Sequence, residues 1–160
     1  MPQSAMNNLP GTYALIFHCA APFRIRVGKL GIIEGPRGCW IYVGSAFGPG
    51  GLASRLAHHL KPSQRPHWHL DYLKTALQPV DIWTTTDSVK RECAWARCFS
   101  LLKGSMCPIA GFGASDCACR SHLIYRPRRP GFVSFRRQLR GQIVNHGPLY
   151  RLSPADIPSG

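Results

Sequence analysis

Acidic side chains are scarce in this chain: seven Asp and Glu stand against twenty Lys and Arg in 160 residues, a formal net charge of +13. Such an imbalance implies a polyanionic partner, most simply nucleic acid. Arginine predominates among the bases, which suits bidentate contact with phosphate. Long apolar runs are missing too, and with them a membrane span. No basic amphipathic helix of the kind that lies on lipid is evident, so a membrane partner is not expected. The first ten residues carry neither the positive flank nor the apolar core of a signal peptide. Seven cysteines make an odd number. Reduced thiols in the cytoplasm, or a metal site, are therefore expected over a disulfide framework. Internal repeats are absent, and the length suits one domain.

Two stretches organise what is present. Gly11-Thr12-Tyr13-Ala14-Leu15-Ile16-Phe17-His18 is apolar on both faces, as a central buried strand would be. Cys39-Trp40-Ile41-Tyr42-Val43-Gly44 reads as a second strand, and residues 48–51 (Gly-Pro-Gly-Gly) allow a sharp reversal. From Leu52 the pattern turns helical: Leu52, Leu56 and Leu60 form one stripe, His59 lies within it, Arg55 flanks it and His58 points to solvent. Residues 67–77 are expected to form a second helix and 80–86 another strand. Asp87 or Ser88 is expected to cap a third helix over 89–102. On that helix Glu92 shares a face with Trp95, Ala96, Phe99 and Leu102. A carboxylate there is costly unless paired, hydrogen-bonded or bound to a metal. A short strand is expected at 121–125 and a short helix at 134–143. The chain thus divides into a leader (1–10), a core domain (11–125) and a basic extension (126–160).

If the two tyrosine strands pair antiparallel, the start of the first lies beside the end of the second. Tyr13 and Tyr42 then become neighbours at one rim of the sheet, and the helix brings Arg55 and His59 over it. These residues resemble the GIY-YIG nuclease superfamily. Gly11-Thr12-Tyr13 is similar to its first motif and Tyr42-Val43-Gly44 to its second. Arg55 and His59 resemble the helix pair, and Glu92 resembles the metal-binding glutamate. Tyr42-Val43-Gly44-Ser45-Ala46, His67-Trp68-His69-Leu70-Asp71-Tyr72-Leu73 and Gly113-Ala114-Ser115-Asp116-Cys117 resemble the Uri-type endonuclease branch. Thr12 and Val43 depart from isoleucine, and residues 22–38 lengthen the gap between motifs. The resemblance implies an α+β fold: a small, mainly antiparallel three-stranded sheet flanked by helices, with an extended hairpin insertion and the basic C-terminal extension.

It also implies metal-dependent hydrolysis of phosphodiester bonds, in DNA before structured RNA. Glu92 would hold Mg²⁺ or Mn²⁺, which stabilises charge on the leaving oxygen. Arg55 would bind the transition-state phosphate, and Tyr13 would act on the attacking water with Tyr42 or His59 orienting it. Arg24, Arg26, Lys61, Arg65, Arg126, Arg128, Arg129, Arg136 and Arg137 are expected on the nucleic-acid backbone, without sequence readout. Cys117, Cys119 and His122 lack a standard zinc spacing, so packed thiols are expected there over a structural zinc. His67, His69 and Asp71 read as a helix-start network. The other class of function for the same residues is a nucleic-acid-binding module without hydrolysis.

Overall fold

The first strand, β1 (Gly11–Cys19), is buried along almost its whole length because both of its edges are paired and both of its faces are covered. The computed structural model describes residues 8–62, 65, 66, 68–113 and 121–157. On one side β1 meets β4 (Gly38–Ala46), with Tyr13 opposite Gly44 and Leu15 opposite Tyr42. On the other it meets β5 (Gln78–Thr85). Both pairings are antiparallel, as the sequence predicts for the two tyrosine strands.

The sheet is wider than the three strands expected. It has five antiparallel strands in the order β6-β4-β1-β5-β7, where β6 is Leu123–Arg126 and β7 is Leu149–Leu152. β6 is the short strand expected at 121–125, whereas β7 has four residues, too few for alternation to declare itself, and lies among the polar and basic residues of the tail. The insertion forms its own ribbon, β2 (Phe23–Arg26) against β3 (Ile32–Gly35), joined by a 3₁₀ turn.

Helices cover both faces. Tyr13, Leu15, Phe17, Trp40 and Tyr42 point to one side, where α1 (Gly51–Leu60) and α2 (His69–Leu73) pack. Ala14, Ile16, Ile41, Val43 and Trp83 point to the other, against α3 (Glu92–Leu101) and α4 (Phe132–Gln142). The fold is α+β, a sheet between two helical layers. Leu52 and Leu56 of α1 are wholly buried, and each contributes about 2 kcal/mol of hydrophobic stabilisation. Gly51 opens α1 at positive φ, and the carbonyls of Asn8 and Leu9 also lie where a Cβ would sit, so only glycine fits there.

Two expected helices are shorter in the structure. Residues 74–77 do not continue α2, and α3 begins at Glu92 without a side-chain cap. Asp87 instead holds the approach to α3: it accepts from the backbone N–H of Val89 and Gly147 and from Arg91 Nε. The tail adds a second tie, since Trp95 Nε1 donates to His146 Nε2 at 2.9 Å. Residues 126–152 therefore contribute β7 and α4 to the packing around α3. Among the described residues no helix is long and apolar enough to cross a membrane.

Candidate functional site

At the end of the sheet where β1 begins and β4 ends, a polar cavity of about 560 Å³ opens. Tyr42, Ser45, Arg55, Glu92 and His122 face it, together with Lys90 and His69. The two tyrosines lie on one face of the sheet, with ring centroids 6.4 Å apart. They are diagonal and not directly opposed, because Gly44 is the residue across from Tyr13. A Cβ on Gly44 would collide with the Tyr13 hydroxyl. Glycine there lets the phenol lie flat across β4.

Depth separates the two phenols. Tyr13 is 0% exposed and does not line the cavity, whereas Tyr42 reaches its wall. His59 is also sealed in, its Nε2 2.7 Å from the Tyr13 hydroxyl. Burial raises the Tyr13 pKa, the neighbouring Tyr42 adds to that rise, and Arg55 opposes it. Burial also raises Tyr42, with Glu92 adding and Arg55 opposing. Burial, together with Lys74 and Arg55, lowers His59 to about 3, so its imidazole is neutral. Tyr13 and His59 thus form a neutral pair one layer behind the cavity wall.

Arg55 is held from two sides. Its Nη1 donates to the Ser45 carbonyl at 2.9 Å, and its guanidinium lies 4.5 Å from the centre of the Trp68 ring. Ser45 also ties the other wall, because its hydroxyl donates to Glu92 Oε1 at 3.1 Å. The second oxygen, Oε2, lies 3.4 Å from His122 Nδ1. The cost expected for a carboxylate on that helix is thus offset by hydrogen bonding and a neighbouring imidazole. His58 is partly exposed, as its helix position suggested, and is also paired. Its Nε2 lies 3.2 Å from Asp71, which also pairs with Lys74 and accepts the Trp68 N–H.

The nine basic residues expected on nucleic acid do not line the cavity. Arg24 pairs with Glu34 at 2.9 Å on the ribbon, where Arg26 also sits. Lys61 and Arg65 are exposed beyond α1. Arg126 donates to the Lys103 carbonyl and Ser105. Arg128 and Arg129 are exposed in the following loop, Arg137 is exposed on α4, and Arg136 lies over Phe132. Among the described residues the cations at the cavity are Arg55 and Lys90. Nothing local in the sequence distinguishes Lys90 from the other surface cations. Ser45 and His69 fall inside quoted motifs, yet their roles depend on contacts 47 and 44 residues away.

The family model described as a domain of unknown function, DUF123, matches residues 12–142. The chain belongs to this family. The match runs from β1 to the end of α4 and so takes in every cavity residue named above. No curated protein and no solved structure matches the chain.

Among the described residues no cluster of three or more His, Cys, Asp or Glu could hold a metal. Glu92 stands as a single carboxylate, its side chain 23% exposed beside a polar cavity. One oxygen ligand with room for water fits Mg²⁺ or Mn²⁺, hard cations that keep much of their hydration. Asp116, Cys117, Cys119 and His67 lie outside the described residues. Burial pushes the thiols of Cys39 and Cys98 up to about 11, which leaves them inert packing groups.

Proposed function

We propose that this protein is a divalent-metal-dependent endonuclease of the GIY-YIG superfamily, Uri-type branch, which hydrolyses phosphodiester bonds in nucleic acid, DNA first. The observation that carries the reading is the meeting of Tyr42, Arg55 and Glu92, from three separate elements, around one polar cavity. Ser45 joins the last two by accepting from Arg55 and donating to Glu92.

Glu92 is the residue that would hold Mg²⁺ or Mn²⁺, and the bound cation supplies charge stabilisation at the phosphate and the leaving oxygen. Arg55, fixed by Ser45 and Trp68, binds the non-bridging oxygens and gains strength as negative charge builds on them. Tyr42 is the phenol that reaches the wall, so it orients the attacking water, whereas Tyr13, which the resemblance casts as acting on that water, lies behind the wall. Arg55 favours the phenolate form and offsets part of the burial. Tyr13 and His59 hold the floor behind it. Cytoplasmic reduced thiols and backbone contacts from the exposed arginines complete the reading.

The test is a nicking assay on supercoiled plasmid, single strands and branched duplexes, with Mg²⁺, Mn²⁺ or EDTA, beside Glu92→Ala. Metal-dependent cutting that the variant loses supports the enzyme. Tight binding without cutting on every substrate would replace it with the non-catalytic binding module.

A further inference from the structure

His69 stands first in α2, and its sequence position suggests only a helix-start role. Its contacts are different. The backbone N–H of Gly113 donates to His69 Nδ1 at 2.8 Å. A nitrogen that accepts a hydrogen bond carries no proton, so the neutral ring must be protonated on Nε2. The ring is held in place: it packs 5.3 Å from the Phe112 ring and forms part of the cavity wall. Burial lowers its pKa, in the direction that keeps it neutral. Among the described residues the ring has no second hydrogen-bond partner, so its N–H is not spent within the fold. Arg55 and Lys90 already bring positive charge to the same cavity. A fixed neutral donor adds directionality there without a third cation to desolvate.

We propose that His69 is a substrate-binding residue, which presents Nε2–H to a phosphate oxygen of nucleic acid bound in the cavity. This rests on the reading of the cavity as a phosphodiester site and adds a donor to it that neither the motifs nor the family description assign. A proton-accepting role is excluded by the same contact: Nδ1 is occupied by Gly113, and Nε2 already bears the hydrogen. Preorganised donors of this kind act without reorientation cost as charge develops.

The experiment uses the full chain labelled with ¹⁵N-histidine. Long-range nitrogen–proton spectra at neutral pH should show His69 protonated on Nε2, and that signal should move when a deoxyoligonucleotide is added with EDTA present. Protonation on Nδ1, or no movement at saturation, overturns the proposal. In kinetics, His69→Phe keeps the packing on Phe112 without the donor and should lower kcat/KM about 10²-fold. His69→Gln carries an amide N–H to nearly the same place and should recover at least part of that loss. A His69→Phe variant as active as the wild type also overturns it. Should the wild type cut nothing, the nuclease reading fails separately. His69 is then judged by oligonucleotide affinity, and unchanged affinity in His69→Phe would dismiss it.

Discussion

Thr12 Oγ1 accepts the backbone N–H of Arg91 at 3.1 Å, which anchors the residue directly before Glu92 to the first strand. Isoleucine, the residue the resembled motif carries there, could not make this bond. The departure from the motif therefore has a structural use: it fixes the start of α3 against β1. Thr12→Val keeps the shape and removes the acceptor, which should cost about 1 kcal/mol of stability. If the bond positions Glu92, metal-dependent activity should fall roughly tenfold, the effect of about 1.4 kcal/mol on a barrier. Thr12→Ser should restore it. Stability and kcat measured together check this; a stability loss with unchanged kcat would make the bond structural only.

Arg55 is gripped by a carbonyl on one side and an indole on the other. Arg55→Lys keeps the charge but loses the planar fork and its stacking. We expect kcat to fall by about 10²-fold or more while affinity changes little, because the lost contact strengthens in the transition state. Trp68→Leu should give a smaller loss, in line with about 1 kcal/mol for a partly desolvated cation–π contact. Equal losses of binding and turnover in Arg55→Lys would place the guanidinium on ground-state binding alone.

His59 titrates near pH 3 when folded, against an ordinary value of 6.5. Between those values the unfolded chain binds the extra proton and the folded chain does not, so stability rises with pH across the window. The contribution is complete above about pH 6.5 and disappears as pH falls toward 3. Burial lowers His69, His122 and His146 in the same direction. Urea midpoints should therefore drop steadily from pH 7 to pH 4. His59→Gln should flatten that slope, whatever it does to stability at neutral pH. An unchanged slope would mean that His59 is charged in the fold.

Arg137 and Arg140 are exposed on α4, on the face of the sheet opposite Tyr13 and Tyr42. If they touch phosphates, log affinity against log salt should lose about one unit of slope for each arginine replaced by glutamine. The double variant should weaken binding of long duplexes alike across sequences and leave kcat intact. A slope that does not change would remove this face from the nucleic-acid footprint.

Local pattern was enough for part of this molecule. Residues 11–18 are apolar on both sides, the pattern of a central strand, and they form one. The 100° step of a helix put His59 on the buried stripe and Arg55 at its edge. Each of these depends on residues a few places apart, where period and sterics decide the outcome.

Depth and distant pairing were settled only by tertiary structure. Periodicity assigns a side chain to a face, but what covers that face comes from elsewhere in the chain. Tyr13 and Tyr42 share a face, yet only Tyr42 reaches the cavity. Glu92 meets Ser45 across 47 residues, and His69 receives its hydrogen bond from Gly113 across 44. The four-residue strand β7 exists because β5 offers it an edge. Its hydrogen bonds are supplied by the sheet it joins, so its own residues carry little sign of it.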